Sequence, residues 1–123
     1  MKLRLLLACL LTVATGAGAQ ASDVRSVSVG VWRGTSLCLV RPSACHDEVV
    51  VYRVSRMAAR DSVAFDARKI VNGQEEEMGV LSCGVAKAGT QLTCGIRNGG
   101  WHFTIKGDSL VGDVRLPDGP LCR

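Results

Sequence analysis

Turn chemistry constrains this chain more than any other feature, because two-residue turns dictate which residues face each other across a hairpin. Asn98-Gly99 is the pair most favoured in such turns, whose central positions need positive φ. Centring a hairpin there pairs Ile96 with Trp101, Cys94 with Phe103 and Leu92 with Ile105. Gly107-Asp108 marks the next turn and pairs Ile105 with Leu110, Phe103 with Gly112 and Trp101 with Val114. A turn over Lys87 to Thr90 pairs Val85 with Leu92, Cys83 with Cys94 and Leu81 with Ile96. All three turns put the same apolar residues on one face. A one-residue slip would invert a face, so the agreement supports the pairing.

The pattern runs backwards. A three-residue loop at Val71-Asn72-Gly73 opposes Val63 to Leu81 and Phe65 to Gly79. A loop over Met57 to Arg60 pairs Val54 with Val63, Tyr52 with Phe65 and Val50 with Ala67. Rings then face glycines twice, at Phe65–Gly79 and Phe103–Gly112, where an aromatic covers bare backbone. Tyr52, Phe65, Trp101 and Phe103 share one face, and Trp32 is expected to join them. Burying each ring is worth roughly 1.5–3 kcal/mol, so these rings should dominate the core.

No helical period is sustained after residue 20, while short Val/Thr/aromatic segments recur between turn signals about every eight to twelve residues. The expected fold is all-β. Strands over 29–38, 48–56, 61–70, 74–85, 91–97, 100–106 and 109–116, with a stub at 121–123, form an antiparallel up-and-down meander of seven to eight strands. Such a meander curls into a small barrel, which removes sheet edges, and a two-sheet β-sandwich is the alternative.

The first residues address location. Lys2 and Arg4 precede an apolar run from Leu5 to Val13, and Ala17-Gly18-Ala19 offers the small residues a signal peptidase reads. Residues 1–19 are expected to be a signal peptide, 20–28 a loose N-terminal arm and 29–123 a single β-barrel domain. The apolar run is too short for a transmembrane helix, so no membrane partner is expected. The compartment is then secreted or periplasmic, and oxidising. Cys9 leaves with the leader, and five cysteines remain. Cys83–Cys94 across a hairpin and Cys38–Cys45 within one loop are the expected disulfides, with Cys122 unpaired, giving a monomer or a Cys122-linked dimer. Their spacings do not fit zinc knuckles, so no metal is expected.

Composition narrows function by exclusion. At 47% apolar and 21% charged residues, the chain is neither disordered nor fibrous. Its 123 residues are too few for a multidomain enzyme or a full dinucleotide-binding sheet. The net charge of +4 falls when Lys2 and Arg4 leave, and the remaining basic residues are scattered, which argues against nucleic acid. No nucleophile elbow, phosphate-cradling glycine loop or metalloprotease motif occurs, so neither catalysis nor a cofactor is expected. The densest polar cluster is His46-Asp47-Glu48, after the Cys38–Cys45 loop. Hairpin arithmetic puts it at the same barrel end as Lys69, Glu75 and the turns at Asn72 and Asn98. The other end carries short turns around Ala58, Lys87 and Gly107. Glu48–Lys69 and Arg68–Glu76 ion pairs across strands are the plain alternative to a site there.

Gly30-Val31-Trp32 on the first strand resembles the G-x-W signature of the calycin superfamily, the lipocalins and avidin-like proteins. The resemblance implies a secreted antiparallel barrel whose first-strand Trp closes one end, with Arg123 corresponding to the terminal Arg that packs over it. It also implies a non-catalytic carrier of a small apolar molecule. The alternative is a module that binds an extracellular protein, such as an enzyme inhibitor, through the pinned loop; a hydrolase or metal-dependent enzyme using His46-Asp47-Glu48 is the weakest of the three. The residues expected to contact a ligand or partner are His46, Asp47, Glu48, Lys69, Glu75, Trp32 and Tyr52. Cavity volume separates carrier from surface binder.

Overall fold

The computed structural model describes residues 22–40 and 45–117. The expected leader, the stub at 121–123, Cys122 and Arg123 lie outside the described residues. Within them, seven strands form one antiparallel sheet in sequence order: β1 (Gly30–Ser36), β2 (Glu48–Arg56), β3 (Ser62–Val71), β4 (Gln74–Ala86), β5 (Gln91–Ile96), β6 (Gly99–Lys106) and β7 (Ser109–Arg115). The sheet curls into a nearly closed barrel, as the meander pattern requires. Every junction is five residues or shorter except residues 37–47, so consecutive strands alternate direction and only one barrel end carries a long connection.

Alternation decides the core. Val50, Tyr52, Val54, Val63, Phe65, Ala67, Cys83, Leu92, Cys94 and Phe103 are buried in one cluster, with Trp32, Leu81, Val85, Trp101 and Leu110 packed against it. These are the residues expected on the inner face.

The pairings are partly different. Ile105–Leu110, Phe103–Gly112 and Trp101–Val114 stand opposite each other as expected, as do Val85–Leu92 and Cys83–Cys94. That last ladder stops at Cys83–Cys94, so Leu81 and Ile96 lie beyond it. Elsewhere the register is shifted by two. The β5–β6 turn uses Arg97-Asn98, with the positive φ at Gly99 (148°), so Cys94 faces Trp101, Leu92 faces Phe103 and Ile96 faces Gly99. The β2–β3 loop extends through Asp61, placing Val54 opposite Phe65, Tyr52 opposite Ala67 and Val50 opposite Lys69.

At β3–β4 the turn is two residues, not three. Asn72 (φ 50°) and Gly73 (φ 78°) adopt the left-handed values a mirror-image hairpin turn needs. Pairing straight on from Val71–Gln74 would point Leu81 and Cys83 outward. A bulge corrects this: Met78 has no partner, and beyond it Ala67 faces Gly79, Phe65 faces Leu81 and Val63 faces Cys83. Phe65 therefore does not cover Gly79. Phe103 does cover Gly112, where a Cβ would overlap the Phe103 ring.

Within the stretch expected as a loose arm, Val24–Val27 winds into a short 3-10 helix, η1. It closes the barrel end opposite the long loop. Arg25 binds the Asp23 carboxylate and donates to the Met57 and Ala59 carbonyls of the β2–β3 loop, at 2.6 and 3.1 Å. Arg56 holds Asp23 and Ser26 from the other side. A second 3-10 turn, η2 (Lys87–Gly89), meets η1 so closely that a Cβ at Gly89 would overlap the Val24 carbonyl. The Trp32 indole N–H donates to the Ser28 carbonyl at 2.8 Å, anchoring the first-strand ring at this end.

Both expected disulfides are present: Cys38–Cys45 with Cα atoms 5.8 Å apart, and Cys83–Cys94 at 4.2 Å. Two intramolecular bridges fit an oxidising, extracellular or periplasmic environment. Among the described residues no helix is long and apolar enough to cross a membrane.

Candidate functional site

The barrel's distinctive feature is its seam. Among the described residues the sheet runs from β1 to β7 without joining the two, so their outer edges flank a gap. The inward positions along it are Trp32, Gly34 and Ser36 on β1, and Leu110, Gly112 and Val114 on β7, as pairing with Tyr52 and Phe103 fixes. Glycines take inward positions on both edge strands, Gly30 and Gly34 on β1 and Gly112 on β7, so side chains of the described residues leave the gap partly open.

Two adjoining hollows open there. The larger, about 430 Å³, lies between Thr35, Ser36, Leu37 and Leu39 on one side and Leu110, Gly112 and Asp113 on the other, with Tyr52, Trp101 and Phe103 at its back. The smaller, about 220 Å³, is bounded by Trp32, Gly34, Val50, Tyr52, Asp108 and Leu110. Behind the seam, an apolar pocket of about 160 Å³ lies among Phe65, Ala67, Leu81 and Ile96, again walled by Tyr52 and Trp101. Trp101 and Tyr52 are therefore the partition between interior and seam.

The rings behind the seam are ordered. Phe65 stacks on Phe103 at 4.8 Å with planes 21° apart, and Trp101 stacks on Phe103 at 5.4 Å and 10°. Tyr52 meets this ladder edge-on, 6.0 Å from Phe103 and 6.4 Å from Trp101. Edge-to-face and offset contacts of this kind hold rings in fixed orientation. The back wall is consequently a packed set of rings, while the rim carries Thr35, Ser36 and Asp113.

The polar residues singled out in the sequence are dispersed by comparison. His46 and Asp47 are exposed after the long loop, and the Asp47 carboxylate accepts from the Cys38 backbone N–H at 2.8 Å, so it shapes the loop. Glu48 stands opposite Ser36. The expected Glu48–Lys69 pairing is replaced, through the register shift, by Lys69 opposite Val50 and Glu76. Arg68 faces Glu77 rather than Glu76, and its guanidinium binds Asp66. Glu75 lies on the outer face, gripped by both terminal nitrogens of Arg53 at 2.6 and 2.9 Å. That hydrogen-bonded guanidinium lowers the Glu75 pKa and raises that of Arg53. Of the seven residues, Trp32 and Tyr52 alone border the seam hollows. Among the described residues no group of three His, Cys, Asp or Glu is placed to hold a metal ion.

Sequence reasoning missed Gly34, Leu37, Leu39 and Leu110 as lining residues. The available signal was a glycine at an inward position of an otherwise strand-forming segment. Compared with known protein families, curated proteins and solved structures, the chain matches none.

Proposed function

We propose that this chain is an exported, non-catalytic binding protein that carries a small apolar ligand in the β1–β7 seam, in the manner of a calycin-like barrel. The observation that supports it is the seam hollow of about 430 Å³, backed by Tyr52, Trp101 and Phe103 and flanked by Leu37, Leu39 and Leu110. Small-molecule sites are concave, mostly apolar and carry a few polar groups, and their usual volume begins near 300 Å³. The hollow meets each condition. A barrel solid to its surface would have favoured recognition by loops alone.

Native mass spectrometry of protein from its own producer tests this reading. A bound small molecule is expected, and it should be lost when Trp101→Ala removes part of the back wall. Protein that carries nothing, and binds no apolar probe in either form, would overturn it.

One observation favours a second reading, binding of an extracellular protein through the Cys38–Cys45 loop. Leu37, Leu39 and Val40 are 57%, 53% and 39% exposed beside that bridge. A covalently pinned apolar loop loses little entropy on docking. Under this reading Leu39→Asp abolishes capture of a partner, while Trp101→Ala leaves it intact.

A further inference from the structure

The barrel wall parts a second time, away from the seam. Strands β4 and β5 pair only from Cys83–Cys94 to Ala86–Gln91. Residues 74–82 of β4 therefore have a sheet partner on their β3 side alone among the described residues. The bulge at Met78 decides what lies behind this parting. It brings Gly79 opposite Ala67, and the pairing of Ala67 with Tyr52 puts both on the inner face. Two of the smallest residues thus stand side by side among rings, and a Cβ at Gly79 would meet nothing within 4 Å. The space they leave is the apolar pocket of about 160 Å³, flanked by Met78 and Leu81 from β4 and Ile96 from β5. It lies where those two strands do not pair. Packed interiors hold few voids larger than a water molecule, so a void of this size is a feature in its own right.

We propose that this pocket is a second binding site, entered between β4 and β5, and that it takes an uncharged single-ring aromatic group. Its volume fits one ring, since an apolar protein cavity of roughly 150 Å³ stays dry and takes up benzene. Its walls suit a ring as well. Tyr52 and Phe65 lie 4.8 Å apart with planes 45° from each other, and Trp101 stands at 75° to Tyr52. Rings tilted in this way present both faces and edges, so an added ring finds an offset or edge-on partner. Met78, 40% exposed, borders the pocket from the bulge, and an unbranched thioether makes favourable contacts with aromatic rings. The lining side chains carry no charge, and a charged ligand would lose its water there without replacement. Gly34, Leu110 and Gly112 border the seam hollows and not this pocket, so the two readings stand or fall separately.

The test is titration of the isotope-labelled protein with toluene, read by amide chemical shifts. Toluene is expected to bind, moving the amides of Ala67, Gly79 and Ile96 far more than those of Gly34 and Gly112. Benzoate, the same ring with a charge, should bind at least tenfold more weakly. Gly79 is not the position to fill, because its φ of 144° belongs to glycine. Ala67→Leu and Ile96→Phe fill the pocket instead, and each should weaken toluene binding by roughly tenfold or more. Filling a void does not lower stability, so retained melting temperatures separate a blocked pocket from a lost fold. A lowered melting temperature in both variants means that the space is not there in solution and overturns the proposal. So do absence of toluene binding, unchanged toluene affinity in both variants, shifts centred on Gly34 and Gly112, or benzoate binding as tightly as toluene. The carrier reading is judged apart from this: Ala67→Leu should keep any seam ligand that native mass spectrometry finds in the parent protein.

Discussion

Single residues in this barrel carry opposite consequences for the same chemical change. Gly112 and Gly34 both point inward from edge strands, yet a Cβ at Gly112 would overlap the Phe103 ring and approach the His102 carbonyl at 2.6 Å. Overpacking a fixed core typically costs 1–3 kcal/mol, so Gly112→Val should destabilise by about that amount in urea titration, with Gly34→Ala as the neutral control. Asp23 supplies a second residue-scale expectation. Its carboxyl sits far below the usual carboxylate range, chiefly through side-chain and backbone hydrogen bonds from Arg25, and Arg56 adds to the effect. A depressed folded pKa stabilises the protein above the unfolded value, near 3.9, and that contribution fades as pH falls below it. Melting temperatures measured from pH 6 downward should therefore fall below about pH 4, and Asp23→Asn should flatten part of that dependence while lowering the plateau.

Between elements, the β4–β5 ladder is the place where covalent and hydrogen-bonded structure trade off. It has four pairs, from Cys83–Cys94 to Ala86–Gln91, whereas β3–β4 continues past a bulge to the Asn72-Gly73 turn. The buried Cys83–Cys94 bridge closes the short ladder. Replacing both cysteines by alanine should cost roughly 3 kcal/mol, with amide exchange rising first across Gln91–Ile96. The element scale also shows what the sequence made legible. Strand limits, burial faces and the Cys83–Cys94 bridge followed from alternation and turn residues, because period two is a strong signal, and the Cys38–Cys45 bridge from closeness within one loop. Partner identity was less secure. A shift of two residues leaves every side chain on its proper face, so the apolar pattern was equally satisfied by Cys94 opposite Phe103 and by Cys94 opposite Trp101. Asn98-Gly99 offered a turn one position away from the one used, and nothing in composition distinguishes Met78 as the bulged residue. The polar cluster at His46 drew attention by density alone. The seam remained hidden because it depends on β1 and β7, the two strands farthest apart in the chain, lying beside each other without pairing.

Over the whole molecule, stability and openness are separated in space. One end is clasped by η1, Arg25 and the Trp32–Ser28 hydrogen bond, and the interior is filled by the ring ladder, while the β1–β7 side is left unjoined. Hydrogen exchange should follow that division. Amides of β3 and of Cys83 and Gly84 on β4, bonded on both sides, are expected to exchange slowest, and those of β1 and β7 aimed at the seam fastest. Uniform protection around all seven strands would show that the seam is sealed in solution. The same division has an optical consequence. The two tryptophans sit in different places, Trp32 hydrogen-bonded at the clasped end and Trp101 stacked on Phe103 at the edge of the gap. Trp101 is thus a built-in chromophore for the larger hollow, while Trp32 reports on the clasped end and on the smaller hollow it borders. A variant retaining only Trp32 reports unclasping in acid through a red shift of its emission, and one retaining only Trp101 reports filling of the seam through quenching. The protein needs no added label to report on its clasp and its seam.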